Sequence, residues 1–301
     1  MHYITYEEDQ ETKLGLLKDG ELVIELQKLS SIYNNKEVPF LQDMLTFIQE
    51  GEASRVYVEK LLRHFNDNEH LVSQVTRHVK EVKVLAPIQY PQKVVCVGNN
   101  YMDHCKEQNV DPPKKPLIFS KWASCIIAPE EDIQLPDESE QVDFEAELAV
   151  IIGKKGKNIC EEEADEYIFG YTIMNDVSAR DVQFGDGQWV RGKSFDTFAP
   201  LGPVIVSKDE IKQPQNLHIT FELNGEILQN SNTKHMIFSI PYIISYLSKG
   251  FTFEPGDVIA TGTPHGVGVF RNPPIFLKAG DVCTIEIEKI GVLQNKVKGA
   301  S

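Results

Sequence analysis

Residues 142–150 read VDFEAELAV, and this stretch decides most of what the sequence indicates about the fold. Three acids, Asp143, Glu145 and Glu147, alternate with apolar residues, and the run continues into the apolar residues 150–152. A period of two is typical of a β-strand, because successive side chains point to opposite faces. We therefore expect a strand with one apolar face and one face of three carboxylates, leading directly into the core.

The three carboxylates have two explanations. They can line a solvated strand face, and the spacing alone favours this explanation. Alternatively, Glu145 and Glu147 point at the same place and share a hard divalent cation, which prefers oxygen ligands. The segment GYTIMND then supplies a third acid, since Asp176 follows the apolar strand pattern that ends at Asn175.

Composition and charge exclude several classes of function. Of the 301 residues, 41% are hydrophobic and 25% charged, which is ordinary for a globular protein with a sizeable core. The net charge of −15 argues against binding to nucleic acid or to an anionic membrane. The five cysteines show no CxxC spacing and indicate free thiols in a reducing compartment. Without a secretory signal or membrane span, we expect the cytosol or the mitochondrial matrix.

The first part of the chain differs in pattern from the rest. Strand-like pieces flank the turn signal Lys18-Asp19-Gly20, and helical spacing follows over residues 40–51 and again over residues 52–65. The proline-containing segment LAPIQYPQK is typical of a connector. These signals predict a small N-terminal α+β domain over residues 1–88 and a second domain over residues 89–301.

Strand signals dominate from residue 93 onward. They include a hairpin at Asn224-Gly225, and helical patterns are confined to residues 161–167 and 238–248. The predicted fold class is therefore α+β, rich in strands with helices packed on them, rather than a repeated βαβ arrangement.

Three further segments carry candidate chemistry. In GNNYMDHCKEQN, His104 and Glu107 are three residues apart, so on a helix the carboxylate can orient the imidazole as a general base. From spacing alone, a solvated start of a surface helix is the stronger interpretation. Lys193 in RGKSFDTFAP lies among aromatic residues that suggest partial burial. The loop ATGTPHGVG offers hydroxyl and backbone N–H groups to carboxylate oxygens, and it lacks the pattern of a phosphate loop.

Taken in order, these segments resemble the fumarylacetoacetate hydrolase family. The resemblance rests on NYMDHCKE, DFEAELAVIIGK, NDVSARDVQ, GKSFDTFAPLGP and ATGTPHGVGVF and extends over residues 90–298. It implies a mixed β-sandwich roll with short helices and a homodimer. It also implies a Mg²⁺ or Mn²⁺ ion held by Glu145, Glu147 and Asp176.

The same resemblance assigns further residues to the site. His104 and Glu107 match a dyad on the mobile lid of the family, and Lys193 matches its active-site lysine. Positions that contact substrate in relatives match Arg180, Gln183 and Thr263, and Thr197 matches a threonine near the metal in some of them. Asp143 has no counterpart among the ligands, so we expect it to face solvent or to lie behind the metal site.

The resemblance implies a metal-dependent enzyme that acts on enolisable 2-oxo acids through a stabilised enolate. The amino-acid sequence of residues 94–110 is most similar to that of one branch of the family, and this similarity favours oxaloacetate keto–enol tautomerase. The alternatives are a hydrolase of carbon–carbon bonds in acylpyruvate-type 1,3-dicarbonyls, an oxaloacetate decarboxylase, and a non-catalytic protein that binds a metal–dicarboxylate complex. The expected partner is a small 2-oxo acid, with no nucleic acid and no membrane.

Overall fold

The computed structural model describes residues 1–300, in which strands outnumber helices. In chain order the strands are β1 His2–Glu8, β2 Glu11–Lys18, β3 Leu22–Glu25, β4 Thr76–His78, β5 Lys83–Val84, β6 Val94–Gly98, β7 Leu117–Lys121, β8 Ile126–Ile127, β9 Ile133–Gln134, β10 Val142–Asp143, β11 Ala146–Ile152, β12 Ile168–Asn175, β13 Ser178–Ala179, β14 Ala199–Ser207, β15 His218–Leu223, β16 Glu226–Asn232, β17 Val258–Ala260, β18 Val282–Ile287 and β19 Gly291–Lys298. The α-helices are α1 Leu26–Asn34, α2 Met44–Glu50, α3 Glu52–Asn66, α4 Val72–Val75, α5 Met102–Glu107, α6 Arg180–Gly185, α7 Val190–Lys193 and α8 Ile240–Ser248. Short 3₁₀ helices cover Pro39–Leu41, Glu69–Leu71, Val79–Glu81, Ala123–Cys125, Glu161–Tyr167, Thr233–His235 and Gly268–Phe270.

Two large sheets organise these elements. The larger has the order β4-β3-β2-β1-β14-β12-β11-β17-β6-β7, with β5 added to β1 and β8 to β14. The smaller has the order β16-β15-β18-β19-β9, and β10 pairs with β13 alone. Most pairs are antiparallel, whereas β17–β6, β14–β8 and β19–β9 are parallel. The predicted strand-rich α+β class is confirmed.

The stretch VDFEAELAV forms two strands rather than one. The pairing of β10 ends at Asp143, and β11 begins at Ala146 between β12 and β17 in the middle of the large sheet. All seven residues of β11 are buried, as expected for a central strand covered on both faces. The interpretation as a solvated face is wrong, because Asp143, Glu145 and Glu147 are 0%, 6% and 1% exposed.

The N-terminal segment extends the large sheet. Strand β1 pairs with β14 through His2–Val206 and Tyr3–Ile205, so the strands before residue 88 continue those of the following segment. Buried side chains from both segments form one contiguous apolar core. The boundary near residue 88 stays a prediction.

Local signals explain where the helices begin. The helix predicted over residues 40–51 begins at Met44, because the Asp43 side chain accepts a hydrogen bond from the Thr46 N–H and caps α2. Likewise Ser239 caps α8, which begins two residues later than the apolar pattern does. The pattern over residues 161–167 forms a 3₁₀ helix.

The two predicted hairpins are present, and the cysteines are free. Strands β2 and β3 pair beside Lys18-Asp19-Gly20, and β15 and β16 pair beside Asn224-Gly225. Four of the five free cysteines are buried, and Cys160 is exposed. None of the helices within residues 1–300 combines the length and the apolar character that crossing a bilayer requires.

One aromatic contact joins the two large sheets. Phe144, between β10 and β11, stacks on Phe221 of β15 with ring centroids 3.9 Å apart and planes at 3°, and both rings are fully buried. We predict that Phe144→Ala lowers the free energy of unfolding by about 3–5 kcal/mol, the usual cost of removing a buried phenyl ring. Urea unfolding measures this, with Tyr90→Ala as the control because Tyr90 is 76% exposed. A loss for Phe144→Ala no larger than the control's would show that the contact does not stabilise the fold.

Candidate metal centre and active site

Three buried carboxylates converge where β11 begins and β12 ends. One oxygen from each of Glu145, Glu147 and Asp176 lies within 4.8 Å of the others. The antiparallel pairing of Ala146 with Asn175 brings these chain segments together, and the Asp176 N–H donates to the Glu145 carbonyl at 2.9 Å. Two acids two residues apart and a third acid at the exit of the paired strand therefore face one point.

Buried cations surround two of these acids. The Lys193 Nζ lies 2.9 Å from both Glu145 Oε2 and Asp176 Oδ2. The second oxygen of Asp176 is 2.7 Å from the Nζ of Lys121, whose side chain is fully buried. Glu145 also contacts the Arg180 Nη2 at 2.7 Å.

Glu147 is the acid that lacks such a partner. Within residues 1–300 it forms no ion pair with a lysine or arginine, and its Oε2 accepts only the Gly262 N–H at 2.8 Å. Burial raises the pKa of Glu147 well above its usual range, and Asp176 and Glu145 add to the effect. Burial would also raise the pKa of Glu145, but Lys193 and Arg180 hold it at about 2.

The buried charges fit a divalent cation. Four acids (Asp143, Glu145, Glu147 and Asp176) are buried together with three bases (Lys121, Arg180 and Lys193), which leaves one acid in excess. The ligand atoms in the triad are all carboxylate oxygens, the donor type that Mg²⁺ and Mn²⁺ prefer. A divalent cation beside Glu147 would offset the one excess negative charge and leave one positive charge over, so the residues present can hold such an ion.

Asp143 neither faces solvent nor joins the triad. Its Oδ2 accepts from Arg180 Nε at 2.9 Å and from the Val269 N–H at 3.0 Å, and its Oδ1 accepts from the Gly268 N–H at 2.7 Å. The expectation of a solvent-facing acid is wrong, whereas a place behind the metal site agrees with these contacts. Asp143 holds the arginine that in turn contacts Glu145.

The predicted dyad is formed on α5. His104 Nδ1 lies 2.6 Å from Glu107 Oε1, and His104 is 5% exposed. An ionised carboxylate can only accept, so the proton of this hydrogen bond belongs to Nδ1 and leaves Nε2 available for proton exchange. The second oxygen of Glu107 accepts the Gly266 N–H at 2.8 Å, which ties α5 to the loop of residues 261–270.

Four backbone N–H groups of that loop donate hydrogen bonds to carboxylates of the protein itself. Gly262 donates to Glu147, Gly266 to Glu107, and Gly268 with Val269 to Asp143. Glycine is required at two of these positions: Gly262 and Gly266 have φ values of +100° and +101°. A Cβ on Gly262 would lie 2.7 Å from the Asn100 Cβ, and one on Gly266 would lie 2.2 Å from the Leu228 carbonyl oxygen.

A single cavity gathers most of the predicted site residues. Its volume is about 40 Å³, and Phe119, Trp189 and Phe270 contribute apolar walls. The predicted residues that line it are His104, Glu145, Glu147, Arg180, Gln183, Lys193 and Thr263. Glu107 and Asp176 lie directly behind this layer, bonded to His104 and Lys193. The structure brings these nine predicted site residues together, and their catalytic, substrate-binding and metal-binding roles remain predictions.

Thr197 is engaged elsewhere. Its hydroxyl accepts a hydrogen bond from the Gln134 N–H at 2.8 Å, and it does not line the cavity.

Sequence reasoning missed two buried side chains of the site. Lys121 binds Asp176, and the fully buried Gln229 bonds both to the Ala146 N–H and to Thr263. Lys121 follows Ser120, and Gln229 begins the polar run QNSN, so neither has a spaced partner that would mark it. The apolar residues around Lys121 in LIFSKWA are the one available hint of burial.

Comparison with known proteins places the chain in a family. The family described as fumarylacetoacetate (FAA) hydrolase C-terminal matches residues 93–298. The protein named oxaloacetate tautomerase fahd2, mitochondrial, of Xenopus laevis is 48% identical over 95% of this chain and 86% of its own length. The Homo sapiens protein named oxaloacetate tautomerase FAHD2A, mitochondrial, is 55% identical over 84% of this chain and 79% of its own length.

Solved structures agree with this result. The fumarylacetoacetate hydrolase from Exiguobacterium antarcticum is 36% identical and superposes with a TM-score of 0.82 over 99% of both chains. The maleylpyruvate hydrolase from Sphingobium sp. SYK-6, in complex with manganese(II) ion and pyruvate, is 25% identical with a TM-score of 0.77 over 100% of both chains. The expected mixed β-sandwich roll is thereby confirmed.

The family match spans most of the chain, relatives are about half identical to it, and the buried acids and the dyad lie inside the matched segment. The chain is therefore an enzyme of the fumarylacetoacetate hydrolase family.

Proposed function

We propose that this enzyme is an oxaloacetate keto–enol tautomerase that depends on a divalent cation. The observation that carries the proposal is the buried triad of Glu145, Glu147 and Asp176, with Glu147 lacking a basic partner, in contact with a cavity that His104 also lines. Two relatives about half identical to the chain carry the name oxaloacetate tautomerase, which supports this substrate over other 2-oxo acids.

We propose Mg²⁺ or Mn²⁺ as the cation. The all-carboxylate ligand set suits both, and a solved relative contains manganese together with pyruvate. When bound, such an ion supplies the Lewis acidity that stabilises negative charge on the oxygens of a 2-oxo acid.

The chain's own residues account for the proton transfers. Tautomerisation removes a proton from the C2 hydroxyl of the enol and delivers one to C3, so no atom is gained or lost. His104 is suited to exchange this proton through Nε2, because the Nδ1–H donates to Glu107 and fixes the orientation of the ring. Burial would lower the pKa of Lys193, but Asp176 and Glu145 outweigh it and raise the pKa, so the ammonium stays charged beside the developing oxyanion.

In this proposal, three further residues orient the substrate. Arg180 and Gln183 lie on α6 with Arg180 Nη1 donating to Gln183 Oε1 at 3.0 Å, and both line the cavity. Thr263 presents its hydroxyl from the opposite loop. Together they place polar groups around the space where the substrate carboxylates would lie.

The same site suits two other reactions of 2-oxo acids. If His104 activates water, a carbon–carbon bond of an acylpyruvate is hydrolysed, and if CO₂ leaves, oxaloacetate is decarboxylated. The solved maleylpyruvate hydrolase supports the hydrolase alternative. A non-catalytic binding protein for a metal–dicarboxylate complex would not need the His104–Glu107 pair.

A direct assay tests the proposal. Enol-oxaloacetate is added to the Mg²⁺- or Mn²⁺-loaded enzyme, the ultraviolet absorbance of the enol is followed, and pyruvate is measured separately. We expect loss of the enol band without pyruvate. Pyruvate from oxaloacetate would instead identify a decarboxylase, and pyruvate from acetylpyruvate a hydrolase. Saturable pyruvate binding without turnover of any of these compounds would identify a binding protein.

The metal site is tested by Glu147→Gln. We predict that Mn²⁺ affinity in titration calorimetry falls at least ~100-fold and that activity is lost, because a charged ligand is removed. The metal-free melting temperature should not fall, since an unneutralised buried carboxylate is costly to the fold. The matched control is Glu140→Gln, an exposed acid just before β10. Wild-type Mn²⁺ affinity in Glu147→Gln would remove Glu147 from the ligand set.

The dyad is tested by His104→Gln. We predict that kcat falls by ~10²–10⁴, the usual contribution of a general acid–base group, while Mn²⁺ affinity stays within a few-fold of wild type. His70→Gln, an exposed histidine of the N-terminal segment, is the control. An unchanged kcat in His104→Gln would exclude the dyad from proton transfer.

We also propose a homodimer located in mitochondria. The names of the relatives support the location, and exposed apolar side chains on and beside the edge strand β7 (Leu117, Ile118 and Trp122) support self-association. A mass of 34.0 kDa in light scattering would contradict the dimer, and absence from a mitochondrial fraction would contradict the location.

A further inference from the structure

Gln229 of β16 connects the chain segment that carries Glu145 and Glu147 to the loop of residues 261–270. It is fully buried, and its Oε1 accepts the N–H of Ala146, the residue between Glu145 and Glu147, at 2.9 Å. Its Nε2 donates to Thr263 Oγ1 at 2.8 Å and to the Pro264 carbonyl at 2.9 Å.

The chemistry of these partners fixes the orientation of the amide. The Ala146 N–H can only donate and the Pro264 carbonyl can only accept, so exchanging the oxygen and nitrogen of Gln229 would break both hydrogen bonds. The remaining hydrogen of Nε2 therefore points to the Thr263 oxygen. Thr263 is the acceptor in this contact, and its own proton is directed elsewhere.

The Thr263 proton is available to a ligand. Thr263 lines the cavity and is 3% exposed, and its hydroxyl donates no hydrogen bond to any group within residues 1–300. In contrast, the N–H groups of Gly262 and Gly266 in the same loop already serve Glu147 and Glu107.

We propose that Gln229 is a positioning residue that makes Thr263 a hydrogen-bond donor toward a carboxylate or carbonyl oxygen of the substrate. Since Gln229 also holds Ala146, the donor keeps a fixed distance from Glu145 and Glu147. This inference rests on the proposed function and deepens it, because it gives the loop a preference for ligands that present an acceptor oxygen at this point.

A double-mutant cycle tests the inference. The variants are Gln229→Glu, Gln229→Met, Thr263→Val and the combination of Gln229→Met with Thr263→Val. Gln229→Glu keeps the acceptor for Ala146, removes the donor to Thr263 and to the Pro264 carbonyl, and lets the Thr263 hydroxyl turn toward the new carboxylate. The KM and kcat for oxaloacetate, the Kd of pyruvate for the Mn²⁺-loaded protein, the Mn²⁺ affinity and the melting temperature are measured for each.

We expect Gln229→Glu, Gln229→Met and Thr263→Val each to raise KM and the pyruvate Kd by ~10-fold or more, the usual effect of losing a hydrogen bond to a charged group. The combined variant should be no worse than either single one. Mn²⁺ affinity should stay within a few-fold of wild type in all of these variants. A further variant, Thr263→Ser, keeps the hydroxyl and should have the wild-type KM. The control is Gln294→Glu, because Gln294 Nε2 also donates to a threonine hydroxyl, Thr284 Oγ1, at 2.9 Å, but on the exposed face of β19.

Additive losses in the combined variant, or a wild-type KM in Gln229→Glu, would overturn the inference while leaving the tautomerase intact. A loss of Mn²⁺ affinity equal to the rise in KM would overturn it too, because Gln229 would then act through the metal ligands. A wild-type enzyme that neither converts oxaloacetate nor binds pyruvate would overturn the proposed function itself, and this inference with it.

Discussion

Four carboxylates and three basic groups are buried together inside this molecule, and the arrangement of the surrounding chain depends on pairing them. Burying an ion without a partner costs several kcal/mol, and every group of the cluster except Glu147 has an oppositely charged partner at contact distance. The partners come from distant segments: Lys121 ends β7, Asp176 follows β12, and Lys193 ends α7. No short part of the chain can satisfy this cluster alone, so the complete β-roll has to form before the charges are paired.

The sequence could predict the acids because their signal is local. Alternation predicts that Glu145 and Glu147 lie on one side of a strand. Asp176 follows the next strand pattern, and pairing of the two strands brings it close to them. Burial, by contrast, is decided by which elements cover a strand, and this depends on the whole topology. The prediction of strand structure was correct within β10 and β11, but a period of two fits a solvated and a covered face equally well. The roles of Lys121 and Gln229 could not be predicted, because neither has a partner residue at a fixed spacing that would mark it.

The fold was predicted best where turns have their own chemistry. Lys18-Asp19-Gly20 and Asn224-Gly225 mark hairpins because these residues tolerate the backbone angles of tight turns. Helix beginnings were predicted less well, because apolar spacing extends past the true start and only the cap decides it, as Asp43 does for α2. That β1 would pair with β14 could not be predicted, since the two strands are about two hundred residues apart and share no local signal.

The hydrogen bonds divide the site into a rigid part and an adjustable part. Of the buried carboxylates, Glu147 lies on the central strand β11, and Glu145 and Asp176 lie directly beside the ends of β11 and β12, whereas His104 lies on the six-residue helix α5. Two acids fasten this helix to the loop: Glu107 to the Gly266 N–H, and Asp103 to His265 at 2.8 Å, with side chains 18% and 30% exposed. Bonds that water can replace cost less to open than buried ones, so we expect α5 to move more readily than the buried carboxylates. In the proposed mechanism, the choice between moving a proton, adding water and releasing CO₂ would therefore depend on the position of α5 over the cavity, and not on the proposed metal ligands.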